Sequence, residues 1–245
     1  MQYHIKRKGG IAVIAVTGDI HGEAERLDAK PISQLKKGDT LIICGDFGFV
    51  WDDSAAEKKK LKKLEKKKYT ILFIDGTHDN LDLLKNYPEE EWNGGLVRRV
   101  GQNILYLERG NIYTIEDKSF FVFGGGESTD LDQRTDGVSW WAEELPSPEE
   151  LDFARNSLEQ HDNQVDFIIT HECNSKLRNS FVPGRDHSNS LIEFFNEITK
   201  TVHFRKWYFG CYHRDQEIPP VYHALFQSVQ IIEGTDHIKR GLFRK

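Results

Sequence analysis

The sequence predicts an α/β protein built on two β-sheets. Two patterns carry that expectation. In the first half, short apolar, β-rich runs alternate with helix-like segments, which is the order expected of an α/β sheet. From Gly94 to Gly124 the alternation gives way to successive short strands joined by turn-like links, which calls for a second sheet. No internal repeat and no Pro/Gly/Ser linker divides the chain, so residues 1–245 are read as a single domain.

The elements follow in order. Ile11–Val16 is a six-residue apolar run behind a basic K-R-K; it is short for a signal peptide and reads as a buried strand. Strands are expected at Thr40–Cys44, Thr70–Ile74, Phe120–Phe123, Val165–Thr170 and Lys206–Phe209. Helices are expected at Ser54–Lys68, Leu81–Asn86, Pro148–Gln160 and Ser188–Lys200. Between Gly94 and Gly124, Leu105–Leu107, Ile112–Ile115 and Phe120–Phe123 are separated by R-G-N and E-D-K-S, both read as hairpin connections.

Composition bounds the function classes. A hydrophobic content of 38% with 29% charged residues fits a soluble globular protein. The net charge of −6 gives no general reason to bind nucleic acid or a membrane surface. No stretch approaches the ~20 apolar residues of a membrane helix. Three cysteines, Cys44, Cys173 and Cys211, are odd in number and far apart, which suits a reducing compartment; a cytoplasmic location is expected. The one strongly basic segment is Glu57–Lys68, where Leu61 and Leu64 supply an apolar contact. Its lysines read as a solvated face rather than a nucleic-acid patch, because no aromatic residues are interleaved.

The chemistry sits at strand ends. Five times an apolar strand runs into a turn holding Asp, His or Cys. A-V-I-A-V-T-G-D-I-H-G gives Asp19 and His21, and L-I-I-C-G-D-F-G gives Asp46. I-L-F-I-D-G-T-H-D-N gives His78 and Asp79, V-D-F-I-I-T-H-E gives His171, and W-Y-F-G-C-Y-H-R-D gives Cys211 and His213. Groups at the carboxyl ends of sheet strands converge on the crevice where open α/β folds place their sites. One such Asp is commonly a helix cap, and one such His an ordinary core or surface residue. Five in order point to a metal site. Carboxylate with imidazole suits Mn, Fe, Zn, Ni or Co rather than an all-oxygen Mg or Ca cage.

The order D-x-H, G-D, G-[T]-H-D, lone H and G-C-x-H resembles the calcineurin-like metallophosphoesterase superfamily, whose pattern is D-x-H, G-D, G-N-H-[DE], H and G-H-x-H. The resemblance runs from Thr17 to about Tyr222. Glu91–Gly95, Leu107–Gly110, Phe123–Arg134 and Ser139–Glu144 are similar to a bacterial and phage branch that is serine/threonine-phosphatase-like. The resemblance implies a β-sandwich of two mixed sheets flanked by helices, in four α/β/β/α layers. It implies one metal held by Asp19, His21, Asp46 and His213. It implies a second metal shared through Asp46, with His171 retained and two ligands replaced, by Thr77 and Cys211. One ion is therefore expected and a second stays open. His78 takes the position of the family's proton donor or phosphate contact, with Asp79 as its acidic neighbour.

The two departures carry separate readings. Thr77 reads as a turn-stabilising hydroxyl. Cys211 is either a thiolate ligand that retunes the second site toward Zn or a small apolar filler. Arg134 and Arg109 are candidate phosphate contacts, with a structural salt bridge as the other reading of each. Trp140 and Trp141 read as a cleft wall or a loop anchor. Glu172 reads as support for His171, and His187 and His223 as substitute ligands. His4, His161, His203 and His237 are assigned no role.

The expected function is hydrolysis of a phosphomonoester or phosphodiester by metal-activated water, with His78 assisting the leaving group. The alternative is an attenuated or inactive relative that binds a nucleotide or a protein partner in a regulatory role. A nuclease using the Lys58–Lys68 helix is a third reading. The expected partner is a phosphorylated substrate of unassigned class; no membrane partner is expected, and nucleic acid is not favoured.

Overall fold

A computed structural model describes residue 5, residues 12–184 and residues 187–232. Ile11, His4 and His237 lie outside the described residues. The strands are β1 (Ile14–Thr17), β2 (Thr40–Ile43), β3 (Thr70–Phe73), β4 (Glu89–Trp92), β5 (Gly95–Gly101), β6 (Ile104–Leu107), β7 (Ile112–Ile115), β8 (Lys118–Phe123), β9 (Phe167–Thr170), β10 (Lys206–Phe209), β11 (Gln216–Ile218), β12 (Tyr222–Ala224) and β13 (Val229–Ile232). The helices are α1 (Ala24–Asp28), α2 (Ala55–Leu64), α3 (Leu81–Lys85), α4 (Pro148–Gln160), α5 (Ser175–Phe181) and α6 (Ser190–Thr201).

Two mixed sheets form. The seven-stranded sheet runs β13-β1-β2-β3-β6-β5-β4 and the six-stranded sheet runs β11-β12-β10-β9-β8-β7. In the first, β1, β2, β3 and β6 are parallel. In the second, β8, β9, β10 and β12 are parallel. The consequence for function is that the carboxyl ends of β1, β2 and β3 share one edge, as do those of β9 and β10.

Alternation along each strand explains the layers. Successive side chains point to opposite faces, so a strand buried on both sides feeds two cores. Ala15, Leu41, Ile43, Ile71 and Phe73 pack outward with Leu27, Leu61, Leu64 and Leu84 of the first three helices. Their neighbours Ile14, Val16, Ile42 and Leu72 face inward and meet Phe120, Val122, Phe167, Ile169 and Tyr208 of the other sheet. The outer face of that sheet, with Phe121, Phe123, Ile168 and Trp207, is covered by Leu151, Leu158, Phe194, Phe195 and Ile198. The result is the four-layer α/β/β/α sandwich that the resemblance implied.

Two details differ from the sequence reading. R-G-N does not close a hairpin. β6 pairs with β3 and β5, whereas β7 pairs with β8, so this link carries the chain from one sheet to the other. The E-D-K-S link is a hairpin. The crossover is fixed chemically at Arg109. Its buried guanidinium is 2.5 Å from Asp75 Oδ2 at the end of β3, and it also donates to the Glu143 carbonyl at 2.9 Å. The basic helix also ends earlier than expected, at Leu64, where the apolar contact stops; Glu57, Leu61 and Leu64 are its buried residues. No helix among the described residues is long and apolar enough to cross a membrane.

The Asp75–Arg109 pair gives a stability prediction. Removing one partner of a buried ion pair costs about 3–5 kcal/mol, because the other charge is stranded. Asp75→Asn should lower the urea midpoint by a matching amount at an unchanged slope. A loss under about 1 kcal/mol would show that the crossover does not need this contact.

Candidate metal centre

Five loops leave the strand ends and meet on one edge of the sandwich. Asp19 and His21 follow β1, Asp46 follows β2, His78 and Asp79 follow β3, His171 follows β9, and Cys211 and His213 follow β10. Four of these residues adopt left-handed backbone: His21 (φ 48°), Asp46 (φ 48°), Cys211 (φ 70°) and His213 (φ 48°). Such angles are uncommon outside glycine and collect at functional sites, where surrounding contacts hold them. The loops also approach one another very closely. A Cβ on Gly45 would lie 2.3 Å from His171 Nδ1, and one on Gly76 would lie 2.1 Å from Asp46 Oδ1.

The carboxylates are buried and held by backbone N–H groups of neighbouring loops. Cys211 N donates to Asp19 Oδ1 at 3.0 Å, and His78 N donates to Asp46 Oδ1 at 2.8 Å. Asp79 accepts from the N–H groups of Phe47, Gly48 and Gly76 at 3.2, 2.9 and 3.0 Å. Asp79 thus ties the second and third loops together and does not itself face the ring of His78.

Three groups of ligand atoms lie mutually within 4.8 Å: Asp19, His21 and His213; His21, Asp46 and His78; and Asp19, Asp46 and His171. His21 Nε2 and His213 Nε2 are 2.9 Å apart, so at most one carries a proton and the lone pairs converge. His171 Nδ1 is 2.9 Å from the Cys44 carbonyl, which takes its N–H, so Nε2 is the ring atom turned to the site. That buried Nε2 and the buried Asp19 Oδ2 have no hydrogen-bond partner. Orphaned buried polar atoms are expensive, and a shared cation would satisfy both. The donor set present therefore fits a divalent ion.

The titration behaviour agrees. Burial pushes the Asp19 carboxyl up to about 6, and the Asp46 charge adds to the rise. Burial lowers the His21 pKa to about 4, against the pull of Asp46. For Asp46 burial acts upward, but His171, His78 and His21 together hold it well below the usual carboxylate range. For His171 burial acts downward, and Asp46 leads the charges that hold it well above its ordinary value. Burial and the Asp46 charge take Asp79 up to about 7, opposed by its N–H donors. Protons here stand where positive charge is wanted.

His78 is gripped on both sides. Its Nδ1 is 3.0 Å from Asp46 Oδ2, and its Nε2 is 3.0 Å from Arg134 Nη2. The hydrogen bond to Asp46 raises its pKa, while Arg134 opposes the rise. Arg134 is otherwise engaged by Asp130 Oδ1 (2.7 Å), the Thr77 carbonyl (2.8 Å) and the Ser139 carbonyl (3.1 Å). The structure therefore brings Arg134 to the site and leaves Arg109 in its pair with Asp75. Thr77 places its hydroxyl 3.3 Å from His78 Nδ1.

Cys211 joins none of the three ligand groups among the described residues. Its Sγ lies 4.0 Å from Glu172 Oε2, and burial, followed by the Glu172 charge, pushes the thiol up to about 12. Trp141 is buried and donates to Asp82 at 2.9 Å, as a loop anchor does, while Trp140 is partly exposed. His187 pairs with Glu127 at 2.8 Å, and His223 is buried against Tyr208, so neither joins a ligand group among the described residues. The sequence reading missed Arg26. Its guanidinium donates to the carbonyls of Asp19 and Phe226 and lies over the Phe226 ring, on which His213 stacks at 4.7 Å. A contact spanning 200 residues leaves no local signal.

Residues 12–216 match the family model described as calcineurin-like phosphoesterase. Comparison with curated proteins returns no match. Among solved structures, the chain is similar to the phosphopantetheinyl hydrolase of Mycobacterium tuberculosis, at 14% identity and a TM-score of 0.47, covering 89% of this chain and 91% of that one. It is also similar to a Staphylococcus aureus protein described as a 5′-nucleotidase and solved with α-ketoglutarate, at 13% identity and a TM-score of 0.48. That match covers 90% of this chain and 50% of the other.

The geometry predicts metal uptake. Protein stripped with a chelator should bind Mn²⁺ or Zn²⁺ in calorimetry, and the exposed ligand His213→Ala should weaken binding at least about tenfold. Equal affinity in the two proteins would remove His213 from the ligand set.

Proposed function

We propose, from the premise that this chain belongs to the calcineurin-like phosphoesterase family, that it hydrolyses a phosphoester with metal-activated water. The observation that supports the reading is that Asp19, His21 and His213 converge, with Asp46 grouped separately with His21 and with Asp19, and that the buried Asp19 Oδ2 is unsatisfied. These four residues would hold one ion, of Mn, Zn, Fe or Ni. When bound, a divalent ion supplies Lewis-acid charge and lowers the pKa of water. Asp46 fixes His78 through Nδ1, and Arg134 fixes it through Nε2, so the ring is held in one orientation. With Nε2 accepting from Arg134, the neutral ring has no proton to give; His78 assists the leaving oxygen as a general acid when Nε2 carries a proton and the Arg134 N–H has turned away from it. Arg134 is a positioning residue.

Asp46→Ala should abolish turnover of monoester and diester substrates screened with these metals. His78→Ala should lower kcat by about 10²-fold or more while metal binding persists. Turnover unchanged by Asp46→Ala rejects the assignment.

A second reading, a regulatory binder with attenuated chemistry, is favoured by Thr77 and by a Cys211 thiol held against Glu172. The double substitution Thr77→Asn with Cys211→His separates the two. Strong activity arising in an inert parent supports the binder. An active parent whose metal preference alone shifts supports the enzyme.

A further inference from the structure

A groove of about 350 Å³ opens beside the metal centre, walled by His21 and His78 on one side and by Trp51, Asp52, Ser54 and Lys60 on the other. We infer that this groove is the leaving-group subsite and that it takes a nucleoside carrying a second phosphate. The inference rests on the phosphoesterase reading above and deepens it.

Position supplies the first argument. The groove begins at His78, the residue assigned to the leaving oxygen, so whatever is attached to that oxygen extends into it. Its volume lies near the lower end of the ~300–1,000 Å³ typical of small-molecule sites, which suits one nucleoside rather than a folded partner. Trp51 supplies the second. Its ring is half-buried and meets Trp141 edge-on at 5.7 Å, while its backbone N–H donates to Glu57 at 2.8 Å and its backbone carbonyl accepts from Asn80 at 2.8 Å. A ring fixed in this way offers a stacking face at little ordering cost.

Lys60 supplies the third. Lys60 lies three residues after Glu57 and four after Ala56, and all three line the groove from α2. Lys58, Lys63 and Lys67 each pair with an aspartate, but among the described residues Lys60 makes no ion pair; its Nζ reaches only the Gly22 carbonyl at 3.4 Å. The Glu57 carboxylate is already occupied by the N–H groups of Trp51 and Asp52. Lys60 is thus an exposed cation at the groove, matched to an anion on the leaving group. The exposed Asp52 carboxylate suits ribose hydroxyls as hydrogen-bond donors.

The test compares adenosine 3′,5′-bisphosphate with adenosine 5′-monophosphate on wild-type protein, Lys60→Gln and Trp51→Leu. Lys60→Gln, on an exposed helix face, should fold normally. It should lower the ratio of kcat/KM for the bisphosphate over the monophosphate about tenfold. Trp51→Leu should weaken both nucleotides about tenfold. Calorimetric affinity for the bisphosphate, with and without Mn²⁺, reads the same groove independently of turnover. Lost affinity in Lys60→Gln with no turnover in any protein keeps the groove and rejects the enzyme. An unchanged ratio and affinity in Lys60→Gln overturns the groove assignment, as does Lys60-dependent binding of a phosphoserine peptide in place of both nucleotides.

Discussion

Everything at this site depends on buried carboxylates that accept hydrogen bonds from the backbone of a neighbouring loop. Asp19 at the end of β1 holds the N–H of Cys211 beyond β10, and Asp46 beyond β2 holds the N–H of His78 beyond β3. Asp79 closes the set by holding Phe47, Gly48 and Gly76 together. Two of these contacts lie within one sheet and the Asp19 contact joins the two sheets. An ionised carboxylate makes stronger hydrogen bonds than a neutral acceptor. Asp19 and Asp46, proposed as metal ligands, therefore also set the distance between the loops that carry the other candidate ligands. Loss of such a carboxylate removes a ligand and also releases a neighbouring loop.

That arrangement brings like charges together in low dielectric. Two anionic aspartates face one another through His171, and three imidazoles crowd the remaining side. Asp46 raises His171 and His78 toward the protonated form, while at His21 burial outweighs the same charge and lowers that ring. Support from further out is structural. Arg109 neutralises Asp75 just before the third loop, and Arg26 braces the carbonyl of Asp19. Neither offers its charge to a substrate, because each guanidinium is already held on protein oxygens.

The convergence of the candidate ligands was legible because each follows an apolar strand at a short offset, and strands of a parallel sheet end on one edge. Asp19, His21, Asp46, His78, His171 and His213 needed no tertiary information beyond that rule. The sandwich was legible through its period-two apolar runs, since Ile14 and Ala15 must feed different cores. What could not be read was pairing at a distance. R-G-N has the composition of a hairpin, yet β6 and β7 pair in different sheets, with Arg109 at the crossover held by Asp75. β4 and β5 carry alternating charge rather than apolar runs, because Arg98 and Arg99 pair across the ladder with Glu89 and Glu90. Arg134 and Arg109 had equal standing as phosphate contacts until their partners separated them.

The two departures from the family pattern fall on one side of the site. Thr77 and His171 flank Gly126, where a Cβ would lie 2.8 Å from Thr77 Cγ2 and 3.3 Å from His171 Cδ2. Cys211 acts on the same His171, whose charge in turn lowers the Cys211 pKa against burial and Glu172. Both replacements therefore border the inner, fully buried ligand, while Asp19, His21 and His213 on the outer side retain a complete set. A thiol near 12 does not coordinate as it stands; it needs the charge of an ion to give up its proton. Were a second ion held beside Cys211, a soft one would favour that deprotonation and a hard one would not.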